Sequence, residues 1–597
     1  MLVYRTLYKI LLTYRKLSNK YMYRDYQKCT NYNSHLPTSL IFIYQKYVVN
    51  QKDVVERANK ILEGNIFLFE NWLKYDYNQD WLKDPKSGKK WNPYIYANDA
   101  PFVTNGYADV KYVLEPNKLN PLVTVAQAYY ITKDNKYVSF IAKSLKGWMS
   151  CVPVERSVAN RIVMDIAYRA INLIHISILC WNSDYFHKEV MPFIVGILLH
   201  HENYMWSRLG SRWFKSNNDN NHNVGEIVGL YVTQVWLTHL LGYTYKNKQK
   251  KELNYLFSVL DKIIAPSGAY IEQSGNYTKV VAEFLVLFDI FNKAWDISNE
   301  NLFLFDKRKY LVRITNYMKC ISYNNILDNF GDNDGALVLI PFEKNTYNFD
   351  HISKYVDEKL VDMDFHDASQ CVYNSKDENR VHVFTRVGRF AFYVEGAYIH
   401  AHNDMLSLLL SLKGSRLFID KGCYYYNSGL SVRKEYVCLG AHNNVVVDEL
   451  DLSELMTTGN RNYPSSNLIK FDKSPNSLHF IGLLEYKNVK QIRTIDYLND
   501  EIVVSDEITT SGNKSHNISV SYLLCPSLDA KIDSDVVVLT DSQNGNSFRV
   551  SFENLESLAI VDELCYPTYG YAEKTKRIVA KATMDQYVKM TTRIQII

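Results

Sequence analysis

The chain has 597 residues, of which 47% are apolar and 22% charged, as expected for a folded globular protein and not for a fibrous or low-complexity one. This length predicts a few domains, because large helical toroids and β-sandwiches each take about 200 residues or more. The formal net charge of +4 is too weak to indicate a nucleic-acid partner. The nine scattered cysteines contain no CxxC pair, which argues against a disulfide framework and a zinc ribbon.

The N-terminal segment combines apolar and basic positions. Four basic side chains interrupt its apolar residues: Arg5, Lys9, Arg15 and Lys16. Because there is no uninterrupted apolar stretch and no small-residue cleavage site, a standard signal peptide is not predicted. The pattern predicts instead a basic amphipathic extension over residues 1–50, whose first 20 residues form a helix that packs on its own domain or contacts an anionic membrane surface.

No membrane-spanning segment is predicted elsewhere in the chain. The longest apolar runs, such as 191–199 and 280–288, are well short of the ~18 residues that cross a bilayer. The compartment therefore stays open between the cytoplasm, the periphery of the cell envelope and, by a non-standard route, the periplasm.

From about residue 50 to 340 the apolar spacing is helical, as in Val54, Ala58 and Ile61, which predicts stacked helices. The polar stretch 340–375 is the best candidate for a linker. Beyond it, short β-branched runs separated by turn signals such as Asn544-Gly545 predict an antiparallel β-sandwich. The predicted strands are HVFTRV (382–387), FAFYVEGA (390–397), LSLLLSL (406–412), NVVVD (444–448), EIVVSDEI (501–508), DVVVLT (535–540) and SFRVSF (547–552).

Two polar clusters precede apolar helices. In the first, Asn221 and His222 are followed by Glu226, which shares a helix face with His222 if the helix starts there. The second cluster contains Glu272 and Tyr277, and a phenol at a helix entrance can act as a general acid or base in a suitable environment. The structural alternatives are a capping loop for the first cluster and simple aromatic packing for the second.

A third cluster lies among the predicted strands. His400 and His402 flank one alanine, so alternation along a strand directs both side chains to the same face. His402 also forms a two-histidine, one-carboxylate set with Asp420 and His442, which suits tetrahedral Zn²⁺ when a water or a fourth protein ligand completes it.

The fourth cluster, Phe330 to Gly335, invites an EF-hand interpretation that fails. With Gly335 at loop position 6, Phe330 would be position 1 and Pro341 position 12, and neither provides a carboxylate. We therefore expect a structured Asp/Gly turn at the rim of the helical half.

Taken in order, these clusters resemble the heparinase II/III-like polysaccharide lyases. The matching residues are Asn221-His222 with Glu226, Glu272-Gln273-Ser274 with Tyr277, Gly331-Asp332, His400 with His402, Asp404 and Ser407, Asp420 with Gly422, and His442-Asn443. The match extends from about residue 90 to the end of the chain. The resemblance implies a multidomain α+β fold with an incomplete (α/α) toroid over residues 51–345 and an antiparallel β-sandwich over residues 370–597.

The resemblance also implies an activity, namely β-elimination of a uronic-acid-containing acidic polysaccharide, glycosaminoglycan-like or capsular, to give a 4,5-unsaturated uronide. Tyr277 and His400 match the family's catalytic tyrosine and histidine, and Asn221 with His222 matches its carboxylate-binding pair. Glu226 and Glu272 are expected to bind substrate beside them. By the same resemblance, three further residues match structural zinc ligands: His402, Asp420 and His442.

Two other functions remain open at this point. The chain resembles more closely those family members without a clear signal peptide that accompany surface-polysaccharide synthesis. This favours, as an alternative, a non-catalytic or processing factor in capsule or exopolysaccharide assembly that binds the nascent chain. A toroid hydrolase is a further option, with Glu272 and Asp332 as its only candidate carboxyl pair.

Overall fold

The structure is a computed structural model that describes most of the chain. The described residues are 28–33, 36, 51–102, 108–209, 219–295, 306–339, 348–356, 358, 365–388, 400–425, 430–448, 465–512 and 514–597. The predicted N-terminal helix (1–20), most of the extension 1–50 and the predicted strand 390–397 lie outside them.

The first half of the described chain is mainly helical, as the apolar spacing predicts. Its helices are α1 (Gln51–Leu62), α2 (Lys111–Asn117), α3 (Asn120–Thr132), α4 (Asn135–Cys151), α5 (Val163–Leu179), α6 (Asp184–Glu189), α7 (Met191–Leu209), α8 (Asn221–Leu241), α9 (Lys246–Ile263), α10 (Gly275–Ala294), α11 (Arg313–Cys320) and α12 (Asp350–Tyr355). Two small hairpins accompany them: β1 (Asn65–Leu68) with β2 (Asn71–Lys74), and β3 (Ser322–Tyr323) with β4 (Ile326–Leu327).

Helix α8 lies at the centre of this half and is buried on nearly all sides. Its Gly229 is required by packing, because a Cβ there would lie 2.5 Å from the Cβ of Ala167 on α5. Within the described residues α8 is the one helix long and apolar enough to cross a membrane, yet 83% of its apolar window is buried inside the protein, as in a core helix. The Asn220 side chain accepts a hydrogen bond from the His222 backbone N–H at 3.0 Å and so caps the helix.

The second half is built from antiparallel strands. They are β5 (Gln370–Asn374), β6 (His382–Arg386), β7 (Leu408–Leu412), β8 (Ser415–Phe418), β9 (Val445–Val447), β10 (Ser465–Ser474), β11 (Ser477–Tyr486), β12 (Val489–Leu498), β13 (Glu501–Thr510), β14 (His516–Leu523), β15 (Leu528–Asp533), β16 (Val536–Asp541), β17 (Ser547–Glu553), β18 (Ser557–Thr568), β19 (Tyr571–Met584) and β20 (Tyr587–Ile596), with helix α13 (Leu430–Val437) between β8 and β9. The predicted strands that fall on described residues are all present.

The described strands of this half form three sheets: an eight-stranded sheet in the order β10-β11-β12-β13-β20-β17-β16-β15, and four-stranded sheets in the orders β18-β19-β14-β9 and β5-β6-β7-β8. Buried and exposed residues alternate along strands such as β11 and β13, so that one face of the large sheet forms the sandwich core. The predicted fold class, a helical N-terminal region followed by an antiparallel β-sandwich, is confirmed.

The described part of the predicted linker 340–375 contains helix α12 and strand β5, so it is not irregular there. Its polar composition has a structural reason, because polar side chains of α12 bind buried carboxylates of α10. His351 Nε2 lies 2.9 Å from Glu283 Oε1, and the Tyr355 hydroxyl donates to Asp289 Oδ2 at 2.7 Å. The segment is therefore anchored to the helical half.

A buried carboxyl in the helical core predicts a pH-dependent stability. Burial raises the pKa of Glu252 to about 8, against about 4.3 in an unfolded chain. Between these values the native state holds a proton that the unfolded state has released, so the free energy of unfolding falls as pH rises, by at most about 1.4 kcal/mol per pH unit. We expect Glu252→Gln to flatten this decline in urea unfolding measured from pH 5 to 8. Glu507→Gln, at a partly exposed position on β13, is the control and should keep the wild-type slope.

Candidate functional site

The site is a cavity of about 420 Å³ between the helical half and the sandwich. It lies at the N-termini of α8 and α10, where the first two polar clusters of the sequence are located. Residues from the sandwich and from α13 complete its wall. The side chains that line it include Lys111, Asn221, His222, Glu272, Tyr277, Asp334, His400 and Arg433. The structure thus brings together five residues that the sequence singles out and that come from three separate segments.

Asn221 is placed by the N-cap of α8. The side chain is 1% exposed, and neither its amide nitrogen nor its amide oxygen has a hydrogen-bond partner among the described residues. A buried amide with both atoms unsatisfied is costly unless something else binds it, so Asn221 is suited to receive a polar ligand group. Glu226 lies about 7.5 Å further along the helix than Asn221 and is not among the residues that line the cavity.

Glu272 lies against Asn221. Its Oε1 accepts the Asn221 backbone N–H at 3.3 Å, whereas Oε2 is buried and has no hydrogen-bond partner among the described residues. Burial raises the pKa of the Glu272 carboxyl above its usual value. A carboxyl group that holds its proton can donate a hydrogen bond to a carboxylate ligand and does not repel it.

Tyr277 and His400 are stacked, with ring centroids 3.7 Å apart and an interplanar angle of 18°. The Tyr277 hydroxyl donates to Asp334 Oδ2 at 3.1 Å, and Lys111 Nζ lies 2.6 Å from the same oxygen. Burial alone would raise the pKa of Asp334, but the ammonium groups of Lys111 and Lys118 outweigh it, and the pKa lies well below its usual range. Asp334 is therefore a permanent hydrogen-bond acceptor for the phenol.

Asp332 lies in the segment for which the sequence predicts an Asp/Gly turn, but its side chain does more than form a turn. The side chain is fully buried and binds three groups: His400 Nδ1, His402 Nε2 and Arg433 Nη1, each at 3.0 Å. Burial by itself raises the pKa of this carboxyl, but the Arg433 guanidinium and the two imidazole hydrogen bonds outweigh it, and the pKa lies well below its usual range.

The sequence points to Asp332 only through the family resemblance and as half of a candidate hydrolase pair, and it does not mark Asp334, Lys111 or Arg433 as parts of the site. The Asp/Gly motif by itself predicts a turn, because the residues that bind its carboxylates are distant in sequence. No local pattern marks Lys111 or Arg433.

Gly331 explains how three distant segments meet here. Its φ is +69°, and a Cβ at this position would lie 2.5 Å from the Gln273 carbonyl oxygen and 2.7 Å from that of His400. A side chain at residue 331 would clash with both carbonyl oxygens and push the backbone segments at residues 273, 331 and 400 apart. The glycine thus allows the loop to bring Asp332 against His400, whose carbonyl also accepts the Asp332 backbone N–H at 2.9 Å.

The predicted metal ligands lie together beside this cavity. One ligand atom from each of His402, Asp420 and His442 lies within 4.8 Å of the others, and all three residues are buried. His402 Nδ1 and His442 Nε2 are buried nitrogens with no partner among the described residues. Two orphaned imidazole nitrogens beside a carboxylate are donors that fit Zn²⁺. Asp332, His402 and Cys423 form a second close group of potential donors.

Residues 363–596 match the family model described as Heparinase II/III-like, C-terminal. No curated protein sequence matches the chain. For the sandwich half, the resemblance predicted from the sequence is therefore confirmed by a family model.

Solved structures with a similar fold extend the likeness to the helical half. Heparinase III has a TM-score of 0.67 at 15% identity, over 92% of this chain and 86% of its own. The mutant heparan sulfate lyase HepC from Pedobacter heparinus has a TM-score of 0.57 at 15% identity, over 99% and 88%. The Streptomyces coelicolor A3 chondroitin AC lyase in complex with chondroitin sulphate has a TM-score of 0.53 at 9% identity, over 100% and 83%. At these identities the likeness shows the fold.

Proposed function

We propose that this chain, whose C-terminal part belongs to the heparinase II/III-like family, is a polysaccharide lyase that cleaves an acidic, uronic-acid-containing polysaccharide by β-elimination. The observation that carries the proposal is the stacked pair Tyr277 and His400 beside the unsatisfied Asn221 amide in one cavity. These residues provide an acid, a base and a carboxylate binder, the three components that elimination from a uronide needs.

The first requirement is to neutralise the uronate. Removing the proton at C5 leaves a carbanion next to a carboxylate, so negative charge accumulates there unless donors receive it. Asn221 offers an unpartnered amide, and Glu272 offers a buried oxygen whose carboxyl is biased toward the protonated form. His222, which also lines the cavity, is a third donor.

The second requirement is a base with a lone pair directed at C5. Asp332 is ionised and can only accept hydrogen bonds, so the His400 proton resides on Nδ1 and the lone pair on Nε2. Nε2 lies 3.9 Å from Glu272 Oε2, beside the carboxylate-binding group. In the proposed role, Nε2 takes H5 and the electrons of the C5–H bond form the C4–C5 double bond.

The third requirement is an acid for the leaving oxygen at C4. The Tyr277 hydroxyl donates a hydrogen bond to the Asp334 carboxylate, whose negative charge favours the phenol over the phenolate. In this role Tyr277 donates its proton as the C4–O bond breaks, and proton exchange with solvent restores both side chains. The same contacts disfavour a hydrolase, because Asp332 is held by three donors and is unsuited to act as a nucleophile or a proton donor.

The experiment is incubation of the full chain with heparan sulfate, chondroitin, hyaluronate, alginate and capsular polysaccharide from the producing cells. We expect near-ultraviolet absorbance from a 4,5-unsaturated uronide with at least one substrate. The Tyr277→Phe chain is the matched blank. Binding to a polysaccharide without any new absorbance would support the non-catalytic capsule-assembly role, and new reducing ends without unsaturation would support a hydrolase.

We also propose that His402, Asp420 and His442 bind one structural Zn²⁺ per chain, at ~2.0–2.2 Å from the nitrogen and oxygen ligands. The ion would join the segment before β7, the end of β8 and the segment before β9. We expect chelation to lower the melting temperature more than the initial rate, because the ion ties segments together and elimination needs no open position on it. His442→Ala should lose the metal and the chelator sensitivity together; unchanged metal content by elemental analysis would refute the site.

A further inference from the structure

Asp332 contacts both histidines of the third sequence cluster through its two oxygens. Oδ2 lies 3.0 Å from His400 Nδ1, and Oδ1 lies 3.0 Å from His402 Nε2. We propose that Asp332 is a shared positioning residue, whose single carboxylate fixes the tautomer of His400 for proton abstraction and that of His402 for metal binding. This inference rests on the proposed function for His400 and on the proposed zinc site for His402.

The argument starts from what a buried carboxylate can do. An ionised carboxylate only accepts hydrogen bonds, so each imidazole must present an N–H to it. For His400 this leaves the lone pair on Nε2. For His402 it leaves the lone pair on Nδ1, the buried nitrogen with no partner among the described residues. One carboxylate therefore leaves the lone pair of His400 on Nε2, beside the cavity, and that of His402 on Nδ1, the nitrogen that would bind zinc in the proposed site.

Arg433 keeps this arrangement charge-balanced. Its Nη1 lies 3.0 Å from both Asp332 oxygens, so a guanidinium compensates the buried negative charge. The two imidazoles are then available as a base and as a metal ligand, because neither is needed as a cation to pair with Asp332.

An asparagine cannot reproduce these contacts. Its amide has one accepting oxygen and one donating nitrogen, so one of the two histidines would face an N–H group and would have to adopt the opposite tautomer. If bound zinc holds His402 in its present tautomer, the change falls on His400, whose Nε2 then carries the proton and has no lone pair for H5.

The experiment compares Asp332→Asn with Asp328→Asn. Asp328 is a matched control because it is equally buried and also binds a histidine and an arginine: His382 Nε2 at 2.7 Å and Arg416 Nη1 at 3.1 Å. It does not line the cavity. The measurements are kcat and KM of the zinc-loaded chains, zinc affinity by competition with a chelator, and the visible spectrum of Co²⁺-substituted protein.

For Asp332→Asn we expect kcat to fall at least about 10²-fold with little change in KM, and zinc affinity to fall about 10- to 100-fold with an altered Co²⁺ spectrum. Because Asp332 acts through His400, the double variant with His400→Ala should be no slower than His400→Ala alone. The control should keep the wild-type kinetics, affinity and spectrum.

Wild-type zinc affinity, Co²⁺ spectrum and kcat in Asp332→Asn would overturn the inference, as would additive losses in the double variant. Failure of the proposed function is distinguishable, because it would appear as a wild-type chain with no lyase activity. In that case the zinc affinity and a crystal structure of Asp332→Asn test the inference without kinetics. A lower zinc affinity together with a His400 ring that has left its stacked position would support the inference. Any other result would overturn it.

Discussion

Tyr277→Phe is expected to reduce elimination by about 10²- to 10⁴-fold, the range for losing a general acid, while the protein folds and binds polysaccharide as before. Only the phenolic oxygen is removed. The ring that stacks on His400 at 3.7 Å remains, and Asp334 keeps Lys111 as a partner at 2.6 Å. The measurement is the initial rate of near-ultraviolet absorbance with the best substrate of the panel, beside polysaccharide binding and the melting temperature.

The matched control for this variant is Tyr231→Phe. Tyr231 is a buried tyrosine on α8 whose hydroxyl donates to Asn292 Oδ1 at 2.6 Å, outside the cavity lining. Loss of this hydroxyl should lower the free energy of unfolding by about 1 kcal/mol and leave the rate of elimination unchanged. An unsaturated product formed at a substantial rate by Tyr277→Phe would show that another group protonates the leaving oxygen.

The two halves of the fold could be predicted from the sequence because each has a clear periodicity. Apolar residues at helical spacing around Val54 or Ile166 predict helices with one buried face. β-Branched runs such as 501–508 predict strands. The segment 340–375 was harder, because the residues that anchor α12 are polar. Their partners, Glu283 and Asp289, lie on a helix 68 and 66 residues earlier, and composition does not reveal such pairings.

The site was predictable where local patterns carry the chemistry. Asn221 and Tyr277 stand at helix entrances, and His400 is one of two histidines that flank an alanine, so their neighbours in sequence mark them. The predicted strand is not present at His400, which lies in the irregular segment before β7. The contacts of Asp332 with His400 and His402 were not predictable, because an Asp/Gly sequence is explained equally well by a turn. What distinguishes it is the close approach that Gly331 allows between residues 273, 331 and 400, a tertiary contact that only the fold shows.

His400→Ala is expected to reduce the rate of elimination at least about 10²-fold, because it removes the only imidazole that is both stacked on Tyr277 and oriented by Asp332 among the described residues. KM should change little, since Asn221 and Glu272 remain to bind the uronate. Zinc content should also stay at the wild-type level, because His402 keeps its own hydrogen bond to Asp332 at 3.0 Å.

His382→Ala is the control that separates this effect from loss of a buried histidine. His382 is 1% exposed and is paired with Asp328 at 2.7 Å, as His400 is paired with Asp332, but it lies outside the cavity lining. Both variants leave a buried carboxylate short of one donor, so both should lower the melting temperature. Only His400→Ala should slow the reaction at a temperature where both chains are folded, and a wild-type rate on uronides of both C5 configurations would show that the base lies elsewhere.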